Sequence, residues 1–116
     1  MPQPVVLLHE LVFYSFRKRT AIAYVNSFRK NLNIFETKNA HLQFPLTKQK
    51  ETIAGKLTYD KNGDILRIET LKYTQIKKLQ DFFMDVLKDM NTLPNPPKEI
   101  INSNDQFVVN FILSIN

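Results

Sequence analysis

Ten residues near the C-terminus, Gln106 to Ile115, alternate so regularly that a strand is the natural reading. Phe107, Val109, Phe111, Leu113 and Ile115 fall on one face, with Val108, Asn110, Ile112 and Ser114 on the other, the two-residue period of a sheet with one face buried. Burying five large side chains at about 1.5–3 kcal/mol each makes such a strand indispensable to a core. It must join a sheet, and the residues before it supply one.

Ile53, Gly55, Leu57 and Tyr59 alternate with Thr52, Lys56 and Thr58, which predicts a strand over 52–59. Asn62-Gly63 predicts a two-residue turn, since both residues accept the positive φ it requires. Ile65 to Lys72 is the returning strand, with Leu66 and Ile68 assigned to one face and Arg67 and Glu69 to the other. Thr74 is placed to cap a helix, along which Ile76, Leu79, Phe83, Val86, Leu87 and Met90 form an apolar stripe. Lys77, Lys78, Asp81, Asp85, Lys88 and Asp89 occupy its opposite side. Pro94 ends the helix, and Leu93, Pro94, Pro96 and Pro97 act as a stiff structural strap leading to the last strand.

A crossover through that helix makes the second and third strands parallel, with the first strand antiparallel between them. The expected fold is therefore α+β, a three-stranded sheet of order 2-1-3 with helices packed on one face and α-β-β-α-β topology. The opening helix is read over 20–31 from the stripe Ala21, Val25, Phe28 and Leu32, with a start as early as Leu8 left open. Residues 1–19 are taken as an N-terminal extension and 20–116 as the domain. Residues 33–49, with Asn39 and Pro45, read as a loop with little regular structure.

At 116 residues the chain is long enough for one core without metals or disulfides, and it has no cysteine to form the latter. No apolar run reaches the roughly 18 residues of a membrane span, and no signal peptide is evident. The two histidines, His9 and His41, have no partners at a catalytic or metal-binding spacing. Asp60, Asn62 and Asp64 imitate the start of a calcium loop but lack its later glycine and glutamate. The expectation is a non-enzyme with no catalytic residues, no metal and no cofactor.

Charge is divided unevenly. Residues 1–50 hold eight Lys/Arg and two Glu, or +6, while residues 51–116 hold eight Lys/Arg and nine Asp/Glu, or −1. The basic half makes a small nucleic-acid-binding domain the alternative reading, to be detected by steep salt dependence. Against it, the sheet offers few outward aromatics for stacking on bases, so no nucleic-acid partner is expected.

Taken in order, Gly55-Lys56-Leu57-Thr58-Tyr59-Asp60-Lys61-Asn62-Gly63-Asp64, the helix, Leu93-Pro94-Asn95-Pro96-Pro97-Lys98-Glu99-Ile100 and the terminal strand resemble the C-terminal domain of the TonB and TolA family. The cysteine pair of some TolA domains is missing, and the choice between the two subtypes stays open. The resemblance implies a periplasmic protein-interaction domain of a cell-envelope energy transducer, with an inner-membrane anchor upstream. Its implied partners are the TonB box of an outer-membrane transporter, or TolB and Pal-type proteins, and segments of phages or colicins. The implied mode is strand addition along Gln106, Phe107, Val108, Val109, Asn110, Phe111, Ile112, Leu113, Ser114 and Ile115.

That mode also has a physical warrant in the residues. An edge strand offers free N–H and C=O groups, and 106–116 contains neither proline nor charge to block them. A homodimer through the same edge is a further expectation.

Overall fold

In the computed structural model the described residues are 8–42, 44, 46, 49–90 and 92–115, with 8–13 described by backbone alone. Residues 1–7, Pro45 and the side chain of His9 lie outside them. The first element, α1, runs Leu8–Lys38, a single helix of 31 residues. It extends beyond 20–31 at both ends, so residues 33–38 are helical rather than loop. The physical reason is compositional: Leu8–Lys38 contains no glycine or proline, so nothing interrupts its hydrogen-bond ladder. Asn39 closes it, donating both its N–H and its side-chain amide to the Phe35 carbonyl.

The face that α1 buries is rotated from the expected stripe. Phe16, Thr20, Ser27, Asn31 and Phe35 are buried, whereas Ala21 and Val25 are exposed. Hydrophobicity alone misplaces this face because its centre is polar and small. Ser27 donates to the Val86 carbonyl at 2.5 Å, and Asn31 donates to Asp89 at 3.0 Å, so these groups replace water with helix-to-helix bonds. Phe28 and Phe35 flank the seam and stack edgewise on Phe82.

Three strands follow: β1 (Glu51–Asp60), β2 (Ile65–Lys72) and β3 (Gln106–Ile115). They form an antiparallel ladder of order β2-β1-β3, so the fold is α+β with element order α-β-β-α-β. The second helix, α2 (Lys77–Lys88), buries Leu79, Phe82, Phe83, Val86 and Leu87. Thr74 does not cap it from the N-cap position, which Ile76 occupies without a side-chain bond. The Thr74 hydroxyl instead accepts the Ile76 N–H at 3.2 Å and contacts the Glu51 carboxylate.

The β1–β2 turn has three residues rather than two. Asp60 and Asp64 close Lys61-Asn62-Gly63, and Gly63 alone among the turn residues has positive φ, at 90°. The Asp60 carboxylate accepts the N–H groups of Asn62 and Asp64, which holds Asn62 in ordinary backbone geometry.

β2 also departs from simple alternation. The register passes from Thr58↔Arg67 to Tyr59↔Ile65, and from Ala54↔Lys72 to Gly55↔Thr70. Leu66 and Leu71 are thus extra residues in two bulges, and they are 47% and 52% exposed. The first bulge reverses the parity, so Ile65 and Ile68 face the core while Leu66 does not share the face of Ile68.

The strap lies across the hairpin turn. Leu93 is buried and donates its N–H to the Gly63 carbonyl at 2.8 Å. Arg19, with its guanidinium over the Phe16 ring, donates to the carbonyls of Pro94 at 2.5 Å and Asn95 at 3.2 Å. Pro96 and Pro97 then lead into a short 3-10 turn, Lys98–Ile100. The segment ties α1 to the turn of the sheet.

A candidate partner-binding edge

The direction of each backbone group on β3 follows from the hairpin. Asp60 uses its N–H and C=O on the β2 side, bonding Asp64 and Gly63. Its register partner on the other side, Gln106, must therefore point its own backbone groups away from β1. Alternation along the uninterrupted ladder then turns Val108, Asn110, Ile112 and Ser114 outward as well, while Phe107, Val109, Phe111 and Leu113 bond β1.

Two places on that outward row are already occupied. Asn102 takes both groups of Gln106: its N–H donates to the Gln106 carbonyl at 2.7 Å, and its side-chain carbonyl accepts the Gln106 N–H at 3.1 Å. Farther along, the Tyr24 hydroxyl of α1 donates to the Ile112 carbonyl at 3.2 Å. Between them, among the described residues, Val108 and Asn110 keep N–H and C=O free, and Ile112 keeps its N–H.

A groove of about 600 Å³ runs beside this stretch, between α1 and β3. Phe16, Thr20, Ala21 and Tyr24 form its helix wall, and Val108 to Ile112 form its sheet wall. Arg17 is the one cation lining it, and no carboxylate does so among the described residues. The exposed position of Ala21 makes room here, because its side chain fills little of the gap between helix and strand. Val108 and Ile112 are 47% and 59% exposed on the open face of the sheet.

The expected site residues divide accordingly. All ten lie on one edge strand, as the order β2-β1-β3 places them, but only the even-numbered ones direct backbone groups outward. Phe107 and Phe111 are buried, and Val109, Leu113 and Ile115 are partly buried against the same core. Leu93, Pro94, Pro96 and Pro97 sit in the strap and line no part of the groove. Sequence reasoning does not reach Tyr24 and Asn102, and it reads Arg17 as part of the basic run Arg17-Lys18-Arg19 rather than of this edge. An amphipathic tyrosine within a helix stripe was the available signal for Tyr24, whereas Arg17 is one of several ordinary basic residues.

The other edge, β2, is differently built. It carries Arg67, Glu69 and Lys72 and the two bulges, devices that discourage pairing with another strand. Glu69 lies between Lys56 and Arg67 at 3.7 Å from each. β3 has none of these features.

Two basic residues of the N-terminal half are engaged by other parts of the fold. Arg19 holds the strap, and Lys30 lies 3.6 Å from Asp89 on α2. On α2 itself Asp81 pairs with Lys77 at 3.2 Å, while Asp89 pairs with Lys30. The outward side chains of β3 include no aromatic ring. Among the described residues no three His, Asp or Glu side chains are grouped to hold a metal, and no helix is long and apolar enough to cross a membrane.

Two tyrosines link this region to pH. Burial pushes Tyr24 from 10.0 up to about 12, and it raises Tyr59, whose hydroxyl is buried without a partner among the described residues, further still. The unfolded chain releases these protons first, so the stabilisation is complete below pH 10 and declines as pH rises toward the folded values. Chemical denaturation should show stability falling between pH 10 and 12, by at most about 1.4 kcal/mol per pH unit for each group. Tyr24→Phe should reduce that slope; an unchanged slope would contradict the assignment.

Comparison with protein-family models, with curated proteins and with solved structures finds no match for this chain.

Proposed function

We propose that this chain is a protein-interaction domain that captures an extended segment of a partner by adding it to the β3 edge. The observation that carries this reading is the contrast between the two edges. β3 is uncharged, free of bulges and bordered by an apolar groove, whereas β2 is bulged and charged. Backbone pairing would supply affinity and the groove would select side chains, the division of labour of strand addition.

The resemblance to TonB and TolA domains extends the proposal to a setting. The domain would work in the periplasm as the end of an inner-membrane-anchored energy transducer, and its partners would be outer-membrane transporters or TolB and Pal-type proteins. What supports this part is the order of hairpin, helix, proline strap and terminal strand.

Backbone parity provides the test. Asn110→Pro removes an outward N–H and leaves the β1 ladder intact, as proline permits on an edge. In NMR titration with TonB-box or TolB-derived peptides, amide shifts should concentrate on Val108 to Ile112, and Asn110→Pro should abolish them while the fold persists. Shifts confined to α1 residues outside the groove would sink the proposal.

A further inference from the structure

The groove also bears on the chemistry of its occupant, and this step rests on the strand-addition reading above. We infer that the preferred segment has the pattern apolar-x-apolar-x-acidic, laid antiparallel to β3 with its acidic residue at Arg17.

The length follows from the two closures. Between Gln106, held by Asn102, and the Ile112 carbonyl, held by Tyr24, the groups free of partners among the described residues are those of Val108 and Asn110 and the N–H of Ile112. An added strand therefore meets three outward residues before its pairing is interrupted. Antiparallel addition continues the arrangement of both existing strand pairs and has the better hydrogen-bond geometry.

The side-chain pattern follows from pleating. Partner residues opposite Val109 and Phe111 would point to the helix side of the sheet, into the groove against Phe16, Thr20, Ala21 and Tyr24. Its volume of about 600 Å³ accommodates two branched or aromatic side chains. The residue between them would lie on the open face opposite Asn110, where a polar group is acceptable.

Charge sets the polarity. The Phe16 ring meets Phe107 at 5.6 Å, which places Arg17 near the N-terminal end of β3. In an antiparallel partner that end faces the residues after the apolar pair. Arg17 is exposed and makes no ion pair among the described residues, so a carboxylate there gains a charge-assisted, two-pronged bond.

The probes are acetyl-Thr-Val-Ser-Val-Thr-Glu-amide, the same peptide with Gln for Glu, and the peptide in reversed order, titrated against the full chain by NMR. The Glu peptide should bind at least about threefold to tenfold more tightly than the other two, the range expected of one exposed to half-buried charged bond. Arg17→Gln should erase the Glu preference, bringing the affinities of the Glu and Gln peptides together. Equal affinity for Glu and Gln peptides, with both lost on Asn110→Pro, would overturn the acidic pattern yet leave strand addition standing. Equal affinity for the reversed peptide would overturn the antiparallel orientation. Binding of none of them would overturn both readings, and a dimer by sedimentation that Asn110→Pro dissolves would give the edge to a second copy.

Discussion

Phe107→Ala should cost about 3–5 kcal/mol, the range for deleting a buried aromatic side chain. Phe107 is almost completely buried, stacked on Tyr59 at 4.9 Å and met edgewise by Phe16 at 5.6 Å. It therefore connects three elements: the central strand, the edge strand and α1. A small domain with roughly 5–15 kcal/mol of total stability would lose a large share of it. At about 4–8 °C per kcal/mol, thermal unfolding by circular dichroism should shift down by at least about 12 °C. Val108→Ala, the adjacent residue on the open face, should change stability by less than about 1 kcal/mol. A Phe107→Ala shift as small as that of Val108→Ala would show that the core does not depend on this contact.

Gly63→Val should be comparably damaging, for two reasons that act together. Its φ of 90° lies where side chains are strained, and a Cβ there would collide with the Leu93 carbonyl and come within 3.0 Å of the Pro94 nitrogen. The obstacle is backbone held by the Leu93 N–H bond to the Gly63 carbonyl and by Arg19 on the strap, so relief by a side-chain movement is closed off. Adding overpacking of about 1–3 kcal/mol to a left-handed penalty of about 1–2 kcal/mol gives about 2–5 kcal/mol. Urea denaturation of Gly63→Ala and Gly63→Val would measure it. Losses under 1 kcal/mol would mean that the strap can move off the turn.

Gly55→Ala offers a milder contrast. Its Cβ would approach Leu87 Cδ1 at 2.5 Å and Phe83 Cε2 at 3.2 Å, both side-chain atoms in the α2–sheet interface. Because side chains can shift where backbone cannot, the expected cost is about 1–3 kcal/mol. A loss equal to that of Gly63→Val would indicate that Leu87 has no alternative rotamer.

The pattern Phe107, Val109, Phe111, Leu113 and Ile115 was legible because a strand's period is short and each large apolar residue reports its own face. The same holds for α2, whose stripe is apolar throughout, although it omits Phe82, a buried residue adjacent to that stripe. α1 was less legible, since Ser27 and Asn31 lie at the centre of its buried face and count as surface residues on any hydrophobic scale. β2 was misread at Leu66 because a bulge changes parity without changing composition. Nothing in the string Ile65-Leu66-Arg67-Ile68 marks where the register slips.

The candidate site shows the same division. Absence of proline and charge from 106–115, and the crossover that makes this strand an edge, were matters of local composition and chain order. Sequence by itself thus determined the elements, their order in the sheet and which strand had an undefended edge. Tertiary structure alone decided which backbone groups on that edge are free, because Asp60 fixes their parity from across β1, while Asn102 and Tyr24 occupy its ends. It also decided that α1 stands beside the edge and encloses a groove with Arg17 on its rim. The Tyr24 closure and the groove depend on residues far apart in the chain, such as Tyr24 and Ile112, separated by 88. Local periodicity carries no information about such pairs, whose approach is set by how the helix packs.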